Sequence, residues 1–107
     1  MKTKFDIEKS EVIFKQNGVI GRRILKQENL EYLHLTFGLN CETQAHIQDN
    51  GMTFYVIKGE AKVIIDAAED TVSQGQLLVI PAGSNRQWIN IGNEDLELFV
   101  VKCISEK

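Results

Sequence analysis

Residues Gly75 to Asn90 read GQLLVIPAGSNRQWIN. An apolar run, Gln76–Ile80, meets Pro81, the only proline in the chain; the segment then turns at Gly83 and resumes as Arg86-Gln87-Trp88-Ile89-Asn90. Proline fixes φ and glycine opens the left-handed region, so together they make a rigid turn between two strands. Side chains alternate along a strand, which puts Arg86, Trp88 and Asn90 on one face. Arg86, just past the turn, is the side chain the turn aims.

Working outward, apolar runs rich in Val and Ile are punctuated by turn residues along the whole chain. Candidate strands are Val12–Phe14, Gly18–Leu25, Glu31–Leu39, Gln44–Gln48, Thr53–Lys58, Glu60–Asp66, Glu69–Ser73, Gln76–Ile80, Arg86–Ile91 and Glu97–Ile104. Asn17-Gly18, Asn50-Gly51, Lys58-Gly59, Gly75 and Gly92-Asn93 lie between them with the chemistry that turns require. Many short strands at this spacing predict an all-β sandwich or barrel. Only Asp6–Val12 has a helix signal, brief and with Asp6 as its N-cap. His46 and Gln48 share one face, and Met52, Phe54 and Val56 another.

Composition narrows the class. The 107 residues make one domain, able to bury roughly two-thirds of its unfolded surface. A net charge of −3 leaves no electrostatic footprint for nucleic acid, and Arg22-Arg23 is too small a basic patch to supply one. No apolar run has the length to span a bilayer. The N-terminal MKTKFDIEKSE lacks the apolar core of a secretory signal. Cys41 and Cys103 are too few for a disulfide framework. A cytoplasmic protein with reduced thiols is expected.

The opening stretch resembles the second cupin motif, G-x5-P-x-G-x2-H-x3-N, with Arg86 where that family places a histidine. Upstream, Asn40 to Gly59 is similar to the first motif, G-x5-H-x-H-x3,4-E-x6-G. Counting back from Gly59 puts Met52 at the glutamate and Gln48 and His46 at the two histidines, with Asn40 at the opening glycine. Anchoring on Gly38 instead pairs Gln44 with His46 but leaves too long a gap to Met52. The resemblance implies an all-β double-stranded β-helix (a jelly-roll or cupin barrel) over residues 1–107. Its N-terminal strands would lie in 1–37, the motifs in 40–90 and a closing strand in 96–104.

In the family, three histidines and a glutamate usually hold a divalent metal inside the barrel. The equivalent set here is His46, Gln48, Met52 and Arg86. His46 is a strong ligand. Gln48 offers a neutral oxygen, Met52 a thioether suited to soft metals, and Arg86 a permanent cation that repels a metal ion. Catalytic metal sites need about three good protein ligands, so no resident cofactor is expected. Met52 otherwise reads as packing, Trp88 as an aromatic half-buried at the barrel mouth, and Cys41 and Cys103 as inert thiols. Gly75, Pro81, Gly83 and Asn90 read as architectural.

Arg86 is expensive to bury unpaired. Either Glu42 or Glu60 pairs with it, or its planar fork receives a carboxylate or phosphate ligand. His34, on the Glu31–Leu39 strand, is a further candidate donor. The leading expectation is a metal-independent, small-molecule-binding barrel for a small polar or anionic ligand, with contacts from His46, Gln48, Met52, Phe54, Arg86 and Trp88. One alternative is an enzyme, with His46 as acid or base and Arg86 stabilising negative charge in isomerisation or epimerisation of a sugar-acid or keto-acid, or a metal-dependent oxygenase. Another is a structural or sensory subunit with a vestigial pocket. Val19, Ile20, Ile24 and Leu25 exceed what one small barrel needs, so a homodimer through the N-terminal region and an outer sheet face is expected.

Overall fold

In the computed structural model, which describes residues 2–104, each of the ten expected runs is a strand. A single 3-10 turn, Ile7–Lys9, precedes them, with Asp6 as its N-cap accepting from the Glu8 amide. The strands are β1 (Glu11–Gln16), β2 (Val19–Gln27), β3 (Leu30–Phe37), β4 (His46–Ile47), β5 (Met52–Lys58), β6 (Glu60–Ile65), β7 (Ala68–Ser73), β8 (Leu77–Ile80), β9 (Asn85–Asn90) and β10 (Leu96–Cys103). All pair antiparallel in two sheets, one ordered β1-β2-β3-β10-β5-β8 and the other β4-β9-β6-β7. This is the double-stranded β-helix. No helix among the described residues is long and apolar enough to cross a membrane.

The sheets face each other across an apolar core, and period-2 alternation explains what enters it. On β5, Met52, Phe54 and Val56 are buried while Tyr55 between them is exposed; on β10, Leu96, Leu98 and Val100 are buried. Phe37, Val63, Ile80 and Trp88 complete the packing between layers. Val19 is also core, at 1% exposed, which corrects the expectation that it is surplus to the barrel. The apolar excess at the N-terminus lies instead on β1, where Val12, Ile13 and Phe14 remain exposed along a sheet edge.

Two turns show why glycine is needed, for different reasons. Gly83 has φ of 85° with open space around it, so backbone conformation alone demands glycine there. Gly59 has φ of 98°, and an added Cβ would also lie 3.0 Å from the Asp95 carbonyl and from Leu96 Cα. Asn90 is the staple between the layers. Its buried amide Nδ2 donates to the carbonyls of Phe37, Gly38 and Glu94, while its Oδ1 accepts from the Gly92 amide at 2.9 Å. One side chain thereby satisfies backbone groups from two separate loops.

The strand expected over Gln44–Gln48 shortens to the two residues of β4. The cause is a bulge against β9. Glu42 bridges Ile89 and His46 pairs with Arg86, so four steps of chain on one side oppose three on the other. Thr43 closes the gap: its amide donates to the Trp88 carbonyl and its hydroxyl accepts from the Trp88 amide, both at 3.0 Å.

Candidate functional site

The turn Pro81–Ser84 delivers β9 into the barrel with Arg86, Trp88 and Asn90 facing inward, all nearly inaccessible to water. Asn90 is consumed by the backbone as described. Arg86 and Trp88 are not. Arg86 is 3% exposed, and its one side-chain hydrogen bond among the described residues is long, 3.4 Å, from Nη2 to the Asn50 carbonyl. Its Nε and Nη1, and the indole Nε1 of Trp88, have no partner among the described residues. Trp88 packs against Phe54 with ring centroids 4.7 Å apart. It is therefore a core aromatic, not the half-buried one expected at the barrel mouth.

Among the described residues no carboxylate answers Arg86. Glu42 and Glu60, the expected internal partners, are both exposed and make no ion pair with it. Burial pushes its pKa below the ordinary arginine value, and no neighbouring charge pushes it back. Guanidinium nonetheless remains protonated. The result is a buried cation with unused donors.

These groups border a cavity of about 440 Å³ inside the barrel. All six expected contact residues, His46, Gln48, Met52, Phe54, Arg86 and Trp88, line it, although they come from three separate segments. Val56 sits apart in the core. Sequence reasoning missed the opposite wall: Ile13 and Phe14 from β1, and Leu33, Leu35 and Phe37 from β3. Alternation along β3 carried a signal for the last three, since they share one face. Gln16, Val19, Thr43, Gln44 and Lys102 were also missed. Lys102 differs from Arg86 because its amine lies 3.7 Å from Glu31 Oε1.

His46 pairs across the strands with Arg86, and its Nδ1 lies 3.1 Å from the Gln44 carbonyl. A carbonyl can only accept, so Nδ1 carries the proton and Nε2 of the neutral ring keeps a lone pair. His46 is exposed. His34 does not join the site. It is buried against Glu97 (Nε2 to Oε2 2.7 Å), beside a shallow surface trough under the N-terminal segment, so its candidacy as a cavity donor is withdrawn. The charged side chains bordering that trough include the paired His34–Glu97 and Arg23–Glu11.

The positions that the family motif assigns to metal ligands do not suit a divalent cation. A buried guanidinium occupies one of them, and no group of three His, Cys, Asp or Glu among the described residues is placed to hold a metal. Cys41 and Cys103 are free thiols, neither of them in the cavity.

No curated protein matches the sequence. Solved structures do match in fold. A predicted oxalate decarboxylase of Thermotoga maritima has a TM-score of 0.84 at 15% identity, covering 96% of this chain and all of that one. KdgF from Halomonas sp. has a TM-score of 0.82 at 13% identity, covering 99% and 97%. The Cnp3 cupin domain of Schizosaccharomyces pombe has a TM-score of 0.82 at 17% identity, covering 94% and 72%. The family model described as a cupin domain matches residues 34–102, a span that holds both motifs and the closing strand, and the chain belongs to the cupin family.

Proposed function

We propose that this cupin is a metal-independent small-molecule-binding protein whose barrel cavity takes a small polar or anionic ligand. The observation that carries the reading is Arg86, buried without an acidic partner and with Nε and Nη1 unused beside a cavity. Such a group is stabilised when a planar anion accepts from the guanidinium fork. The mix of apolar walls and a few polar groups is that of ligand sites in general. A thermal-shift series with small carboxylates tests it. Carboxylates should raise the melting temperature of the wild type and leave Arg86→Met unmoved; equal shifts in both proteins would sink the proposal.

Metal independence has its own check. Untagged purified protein should hold far less than one equivalent of Fe, Mn, Ni, Zn or Cu. Elemental analysis showing near-stoichiometric metal, lost in His46→Ala, would overturn it.

A second reading is supported by the His46 tautomer. A free Nε2 lone pair on a residue paired with Arg86 is placed to move a proton next to a group that stabilises negative charge. Isomerisation of a keto-acid fits that pair. Deuterium exchange at the carbon next to the ketone, followed by NMR, should then depend on His46; exchange at the uncatalysed rate rejects the enzyme reading.

As a partner we propose a second copy of the chain, meeting at β1. An apolar edge strand with unpaired backbone groups is a template for association. Light scattering should report twice the chain mass at micromolar concentration, and a one-chain mass would remove the dimer.

A further inference from the structure

We infer that the ligand of this cavity is an amphipathic monocarboxylic acid, a single carboxylate on an aliphatic or aryl-alkyl body, and not a polyhydroxylated acid. The inference rests on the reading that Arg86 anchors an anion, and adds what the rest of that anion must be.

The charge balance sets the head group. Among the described residues no Asp or Glu lines the cavity, and its cations are Arg86 and Lys102. Glu31 already faces Lys102 at 3.7 Å and is itself tied to Arg23 at 2.9 Å. One cation is left without a counter-charge, and one negative charge neutralises it. A doubly charged phosphate monoester would carry a second buried charge with no matching cation. Trp88 Nε1, two residues along the same strand face, is a further unused donor for an acceptor atom close to the same head.

The walls set the body. Most polar groups come from one side, where β4 and β9 bring His46 and Arg86 together; the opposite sheet adds Gln16 from β1 and Lys102 from β10, the latter already facing Glu31. The sheet opposite presents Phe14, Leu33, Leu35, Phe37 and Phe54, whose side chains offer no hydrogen bond. A sugar-acid entering here would strip water from several hydroxyls against a wall that, Gln16 and Lys102 apart, returns no partner. Each buried methylene, by contrast, strengthens binding about three- to fourfold.

Trp88 is the only tryptophan in the chain, so its fluorescence reports occupancy of the cavity directly. Full-length wild-type protein would be titrated with butanoate, hexanoate, hydrocinnamate, gluconate, hexanamide and hexyl phosphate. Affinity should rise about threefold or more per methylene from butanoate to hexanoate. Hydrocinnamate should bind comparably to hexanoate, and gluconate, hexanamide and hexyl phosphate at least tenfold more weakly. The slope is measured on the wild type, so it does not depend on any variant folding. Gluconate binding as tightly as hexanoate, with both lost in Arg86→Met, would overturn the amphipathic class while leaving the anchor intact. Tighter binding of hexyl phosphate than hexanoate would overturn the single-charge argument. Hexanamide matching hexanoate, or no response to any acid, would overturn the anchor itself and this inference with it.

Discussion

Two arginines of this chain are solved in opposite ways. Arg23, on β2, donates to Glu31 from Nη1 and to Glu11 from Nη2, each at 2.9 Å. Arg86, on β9, has a single weak contact to a backbone carbonyl and two idle nitrogens. The hydrogen bond to Glu31, and then that to Glu11, raises the Arg23 pKa; burial lowers that of Arg86. The chain carries 15 acidic residues, so carboxylates were not scarce. Among the described residues none of them lines the cavity. A satisfied arginine is part of the frame, whereas an unsatisfied one at a cavity marks a place reserved for something else.

The contrast is broken most severely at Glu31. Its side chain is only 10% exposed and it faces both Arg23 and Lys102. Glu31→Gln should destabilise the protein by about 2 kcal/mol in urea unfolding, below the value for a fully buried pair because the two cations are partly solvated. At Arg86 the sign reverses. Arg86→Met removes a buried charge that nothing pairs, so the ligand-free protein should gain about 1 kcal/mol in the same measurement. A loss comparable to that of Glu31→Gln would mean that Arg86 has a structural partner after all. The sign should hold across the neutral range. A group whose folded pKa is lowered weighs against the fold at every pH below that value, and is relieved only as pH rises through it. The stabilisation from Arg23, with its raised pKa, is lost only as pH rises through a higher value still. Both windows lie far above neutral. The smallest effect belongs to Glu11→Gln. Glu11 is 65% exposed, so unfolding should shift by less than about 0.5 kcal/mol and less again in high salt.

A second pair, the two histidines, shows where reading a chain reaches its limit. His46 was placed with Arg86 through motif spacing, and the strands do pair them. No motif places His34, and its partner Glu97 lies 63 residues away across the β3–β10 pairing. Nothing local to Tyr32, Leu33 or Leu35 announces which strand will lie beside them. The same holds for Ile13 and Phe14, which read as a surface strand yet form part of the cavity wall.

From the sequence alone came the ten strands, the turns at Gly59 and Gly83, the inward sets Met52-Phe54-Val56 and Arg86-Trp88-Asn90, and the six residues that meet in the cavity. The strands, turns and inward sets follow from short-range physics, since side chains alternate every residue and positive φ favours glycine; the six cavity residues came together only through the resemblance to the cupin motifs. Tertiary structure alone decided that no glutamate among the described residues reaches Arg86, that Trp88 is fully enclosed, that Val19 belongs to the core, and that a largely apolar sheet faces Arg86. Those depend on pairings between strands distant along the chain. Periodicity says which residues share a face, and only the assembled barrel says what that face meets.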